Sequence, residues 1–158
     1  MQRFVFDLEG NGLYPEIDTI WTLYLKDIDT KKWDRYVIGE DNARIKSILE
    51  YSDVLIGHNV INFDLPVLKK LWGLDYKGKV IDTIVMSRLW YPDLPSPPKW
   101  VGKPKPHSLE AWAVRIGGIQ KVEQEQWLEF DPNMLKRCEV DVKITERVYN
   151  YLVMRMGL

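Results

Sequence analysis

A chain of 158 residues is long enough for one domain with a single continuous core and too short for a catalytic domain joined to a large partner domain. Its 22 basic and 23 acidic residues leave it near neutral, so no whole-molecule field advertises a nucleic-acid partner, although a site built for cations would itself add acids to that balance. No apolar run approaches the roughly 20 residues of a membrane span, no signal peptide opens the chain, and the single cysteine, Cys138, has no mate for an internal disulfide; the expectation is a cytoplasmic protein with no membrane partner.

In chain order, "QRFVFDLE" and "TIWTLYLKDI" read as strands rich in β-branched and aromatic residues, and "DTKK" supplies a turn before a third strand, "KWDRYVIG". "DNARIKSILEYSD" places Ile45, Ile48 and Leu49 at helical spacing behind an Asp/Asn cap, and a short apolar strand, "VLIG", follows. "DLPVLKKLWG" predicts a helix with Pro66 in its first turn and Gly73 at its end; "DTIVMSRLWYP" predicts another, stopped by Pro92. Residues 92–106 hold six of the nine prolines and can be neither helix nor central strand, so they form a long loop or flap within one domain spanning 1–158. "HSLEAWAVRIGG" predicts a helix capped by Ser108. The last element, "DPNMLKRCEVDVKITERVYNYLVMRM", is a long helix with Met134, Cys138, Thr145 and Leu152 along one inward stripe. Strands first, then strands and helices, indicate an α/β domain with a mixed antiparallel and parallel sheet flanked by helices.

Two acids break the first strand. Side chains at i and i+2 share a face, so Asp7 and Glu9 emerge side by side among Phe4, Phe6 and Leu8, with no Lys or Arg from Phe4 through Leu13 to balance them. Paired carboxylates in a burying strand repel each other and lose hydration, and a divalent ion with hard oxygen ligands is the economical compensation. Two further acids stand where an inward charge is expensive. Asp64 opens a helix after "GHNVINF", where helix capping is an equally good local explanation. Asp141 lies between Cys138 and Thr145 on the inward stripe, where a salt bridge to Arg137 one turn earlier would also account for it. A shared cation explains all four acids at once.

"DLE", "GHNVINFD" and "EVDVKIT", in that order and supported by "IDTIVMSRL" and "HSLEAWAVRIG", resemble the DEDD or DnaQ-like 3′-to-5′ exonucleases of the ribonuclease-H-like fold, nearest to the proofreading domains of phage-type family A DNA polymerases. The likeness runs from Phe4 to about Leu152. It implies that Asp7, Glu9, Asp64 and Asp141 bind two Mg²⁺ or Mn²⁺ ions roughly 4 Å apart, one activating water and the other stabilising the leaving 3′ oxygen. It implies a stand-alone 3′-to-5′ exodeoxyribonuclease for single-stranded 3′ ends, in the host cytoplasm if phage-encoded, serving replication or repair and meeting their proteins. Leu13, Tyr14, Asn59 and Phe63 fall where the family contacts the terminal nucleotide.

One position departs from the family. A Tyr or His normally stands four residues before the last Asp, and here it is Arg137, which cannot accept a proton. Three explanations compete: Arg137 holds the scissile phosphate and no side-chain base is needed; His58 or His107 substitutes; or catalysis is lost and the domain binds nucleic acid or a replication protein. In the proline-rich loop, Trp100 between Lys99 and Lys103 offers a base-stacking surface with phosphate-tracking cations, or simply a solvated loop. An exoribonuclease remains a further alternative, since no residue here reads a 2′-OH.

Overall fold

The computed structural model describes residues 1–158. Three antiparallel strands come first: β1 (Arg3–Gly10), β2 (Ile20–Asp27) and β3 (Trp33–Val37). Helix α1 (Ala43–Tyr51) returns the chain to β4 (Val54–Gly57), which pairs parallel to β1. Helix α2 (Asp64–Trp72) leads to β5 (Lys79–Asp82), parallel to β4, and α3 (Thr83–Trp90), α4 (Leu109–Ile116) and α5 (Asn133–Met156) complete the order. The five-stranded sheet runs β3-β2-β1-β4-β5, a mixed sheet of the ribonuclease-H-like kind.

Alternation along β1 divides the core. Phe4, Phe6 and Leu8 face one layer with Ile45 and Leu49 of α1 and Val67 and Leu68 of α2; Val5 faces the other with Trp112 of α4 and Cys138, Val142 and Val148 of α5. Each fully buried side chain of this size contributes about 1.5–3 kcal/mol. Asp7 and Glu9 share the parity of Val5, so the central strand turns them toward α5.

The helix boundaries follow their signals. Gly73 ends α2 at a φ of 65°, a conformation glycine adopts without strain, and the Ser108 hydroxyl caps α4 by accepting from the Ala111 N–H. Residues 91–108 contain no helix or strand, as the prolines dictate. Strand β5 was not predicted as a strand: four residues beginning with an exposed lysine carry too little alternation to read.

Candidate active site

Strand β1 outruns its parallel neighbour. Pairing with β4 stops at Val5 and Ile56, while β1 continues to Gly10, so its last residues lack a strand on that side. Asp64 fills part of the gap: its Oδ2 accepts from the Leu8 N–H at 3.1 Å, and the residue is almost fully buried. The register with β2 shifts between Glu9 and Gly10, where a Cβ on Gly10 would lie 2.3 Å from Ile17 Cδ1 and 2.7 Å from Thr19 O. Only glycine lets the backbone bend there and hold Glu9 inward. Asp141, on the buried stripe of α5, meets them from above the sheet at 5% exposure.

The loop that delivers Asp64 is pinned from below. Asp82, the N-cap of α3, accepts from the N–H groups of Asn59 at 2.8 Å, Ile61 at 3.1 Å and Ile84 at 3.1 Å. Asn59 sits at a φ of 64°, which asparagine tolerates better than most residues. His58 Nε2 donates to the His107 carbonyl at 2.9 Å, leaving Nδ1 to accept from the Thr83 hydroxyl at 2.7 Å. His107 in turn accepts at Nδ1 from Ser87 Oγ at 2.6 Å, and Ser87 receives the Trp112 indole N–H at 2.9 Å. Burial drives the His58 pKa down to about 4, and burial also lowers that of His107. These histidines hold the loop; both nitrogens of His58 are committed, which leaves it poorly placed to serve as a base.

The electrostatics of the four acids are those of a site awaiting positive charge. Burial raises the Asp7 pKa well above the carboxylate range, and the charges of Glu9, Asp141 and Asp64 add to the effect. Burial, then Asp141, pushes Glu9 up to about 7. Asp64 and Asp141 are raised mainly by burial, offset at Asp64 by backbone hydrogen bonds and at Asp141 by Lys121 and Arg137.

The missing local cations arrive from far along the chain. Arg137 Nε stands 3.3 Å from Glu9 Oε1, and Lys121 Nζ stands 3.5 Å from Asp141 Oδ2. The salt bridge considered between Asp141 and Arg137 is therefore not the one formed: Arg137 turns to Glu9 instead. Arg137 Nη1 donates to the Val122 carbonyl at 2.6 Å, and its guanidinium lies over the Trp127 ring at 5.1 Å. Trp127 is tied to the sheet by its carbonyl, which accepts from Trp21 Nε1 at 2.9 Å. Lys121, Val122 and Trp127 escaped sequence reasoning because the segment 117–132 has no regular structure and no periodicity.

These contacts leave room for a cation. The Arg137 Nε contact is too bent for a hydrogen bond, and Asp141 Oδ1 is buried with no hydrogen-bond partner. Ligand atoms of Asp7, Glu9 and Cys138 lie within 4.8 Å of one another. Carboxylate oxygens orphaned and raised in pKa fit a hard divalent ion, which Asp7, Glu9, Asp64 and Asp141 would hold.

Beside Glu9 opens a cleft of ≈ 340 Å³ lined by Gly10, Gly12, Leu13, Phe63, Trp127 and Arg137. Leu13 and Phe63 thus meet the acids, whereas exposed Tyr14 lines an adjoining hollow with Lys69 and Lys70. Trp100 and Lys103 are not drawn to the acids by any contact. The Trp100 indole N–H instead reaches the Lys103 carbonyl at 3.2 Å within the proline-rich loop.

A mixed sheet with helices on both faces and four acids gathered at the end of its central strand defines an α/β protein with a divalent-cation site. The chain belongs to the ribonuclease H superfamily, whose family model matches residues 4–97. The same fold occurs in Brucella melitensis NrnC with bound Mg²⁺ (TM-score 0.71, 21% identity, 98% of this chain and 75% of that one). It occurs also in Escherichia coli RNase D, an exoribonuclease (0.67, 15%, 96% and 39%), and in E. coli exonuclease I with a dT13 oligonucleotide (0.65, 14%, 99% and 42%). The chain therefore spans three quarters of the first and about two fifths of the other two. No sequence among curated proteins matches it. The likeness to DnaQ-like exonucleases read from the motifs is borne out in superfamily and fold.

Proposed function

We propose that this protein is a metal-dependent 3′-to-5′ exonuclease that removes nucleotides from single-stranded DNA ends. The observation that carries the reading is the convergence of Asp7, Glu9, Asp64 and Asp141 from β1, α2 and α5, all buried or part-buried and all with raised pKa values. Two Mg²⁺ or Mn²⁺ ions held by these acids would supply an activated water and neutralise charge building on the phosphate. Leu13, Phe63 and Trp127 wall a cleft next to Glu9, suited to stacking a terminal base without regard to its identity. Arg137, on the rim of that cleft, offers its fork to the scissile phosphate once the Glu9 contact is exchanged for metal. His58, His107 and Asn59 keep the loop of Asp64 in register. Trp100 and Lys103 would meet the strand further from its end, and Tyr14 would meet it beside Leu13. The relatives of known structure support this reading by fold, one of them holding a single-stranded DNA oligonucleotide.

Because Arg137 is spent on Glu9, a second reading has a footing: a domain that keeps the acids and binds a strand end, or a replication or repair protein, without turnover. One experiment separates them. Single-stranded DNA labelled at its 5′ end, with matched RNA and duplex, is incubated with Mg²⁺, Mn²⁺ or EDTA and wild type or Asp7→Asn. The expected result is a ladder shortening from the 3′ end, abolished by EDTA and by Asp7→Asn, and strongest on single-stranded DNA. A stronger ladder on RNA would make the protein an exoribonuclease. Retained binding with no cleavage under either metal would establish the binding module.

A further inference from the structure

One buried group has no part in the nuclease reading. Cys138 lies on the inward stripe of α5, fully buried, and its thiol sits against β1, 3.1 Å from the Asp7 carbonyl oxygen and 3.5 Å from Asp7 Oδ2. As a core side chain it is a small hydrophobe with a weak S–H donor, a role alanine or serine would also fill. Its sulfur, however, joins the carboxyl oxygens of Asp7 and Glu9 in a set of ligand atoms within 4.8 Å of one another. A tetrahedral zinc site, with Zn–S near 2.3 Å and Zn–O near 2.0–2.2 Å, sets its sulfur and oxygen about 3.5 Å apart, matching the separation found here. A second observation points to a ligand in the same place: Asp141, one turn along the same face, is 5% exposed and carries a buried Oδ1 with no hydrogen-bond partner.

We propose that Cys138, Asp7 and Glu9 form a site for a soft, thiophilic divalent ion of the Zn²⁺ class, with Asp141 as the fourth donor. The hard ions of the nuclease reading use oxygen alone and have no use for the sulfur. As the metal–sulfur bond forms, the thiol proton passes to bulk water and the ion's charge takes its place. An ion so bound occupies three of the four acids and shuts out the hard pair, so the same residues give the protein an intrinsic response to zinc.

The test uses the whole chain with Co²⁺ as a spectroscopic probe and Zn²⁺ in calorimetry. Wild type should show the intense near-ultraviolet thiolate-to-cobalt charge-transfer band, displaced by Zn²⁺ but not by excess Mg²⁺. Cys138→Ser, which keeps a donor to the Asp7 carbonyl and so protects the fold, should lose the band and bind Zn²⁺ at least about 10- to 100-fold more weakly, the loss that even an outer-shell change at a metal site produces. A missing band in wild type, equal Zn²⁺ affinity in the two proteins, or a band that survives Asp7→Asn combined with Glu9→Gln would each overturn the proposal. These readouts stand whether or not the protein cleaves DNA. In the cleavage assay, zinc inhibition relieved by Cys138→Ser would add the functional consequence.

Discussion

At Glu9 a carboxyl pushed up to about 7 faces a guanidinium 3.3 Å away, and the acid and its neighbours are held at a cost in hydration that metal-free protein cannot recover. In the unfolded chain Glu9 titrates at its ordinary 4.5. A raised folded pKa means that its stabilising contribution is complete below 4.5 and is lost as pH rises through about 7. Chelated protein should therefore melt at progressively lower temperature across that window, and Mg²⁺ should restore most at its upper end. Identical pH profiles with and without metal, in parallel thermal melts, would remove Glu9 from the metal site. Arg137→Ala should lower turnover at least tenfold while changing divalent affinity little; an unchanged rate would discard the phosphate-holding role, and a large gain in Arg137→Tyr would mark the parent as catalytically weakened. The four acids were legible because an inward charge is costly wherever the pattern buries it. The partners of Arg137 were not, since nothing local ties residue 137 to residues 9, 122 and 127.

The loop from β4 to α2 and the segment 117–132 show how differently two irregular elements can be specified. The first was readable, because "GHNVINFD" lies between an apolar strand and a helical start, and Asp82 and His58 then fix it by local rules. His58 moves the other way with pH: a folded pKa of about 4 against an ordinary 6.5 means that its contribution is full above 6.5 and is lost as pH falls through about 4. His58→Ala should destabilise the protein by about 1–3 kcal/mol and flatten the acid side of its stability profile, as read by denaturant unfolding at pH 4 and pH 7. The second segment takes its order from distant contacts, the Trp21 bond to Trp127 and the Arg137 bond to Val122. Lys121 belongs to it and compensates Asp141. Replacing Lys121 by Met should lower the melting temperature in EDTA and tighten Mg²⁺ binding severalfold in calorimetry; weaker Mg²⁺ binding would show that the lysine supports the site rather than competing with the ion.

At the scale of the molecule, the element order and mixed α/β class were legible from alternating and helical spacing, and only the short edge strand β5 was missed. The layering explains why the acids behave as a unit: β1 supplies two, α2 reaches the sheet from one side, and α5 closes from the other. Any ligand of that cluster binds the folded state alone, so Mg²⁺ at 100 times its dissociation constant should add about 2.7 kcal/mol, or about 5–10 °C in melting temperature for a domain of this size. Asp141→Asn should abolish that gain in a scanning calorimeter, and a gain that persists would place the ion elsewhere.

The spread of the acids along the chain also governs when activity can begin. Asp7, Glu9 and Asp64 leave the ribosome early, but Asp141 lies on the last helix. Until α5 emerges and docks, a growing polypeptide holds three carboxylates and no closed cluster. A hydrolase of DNA ends built in this way is harmless while it is being made, and a fragment clipped anywhere before α5 stays so.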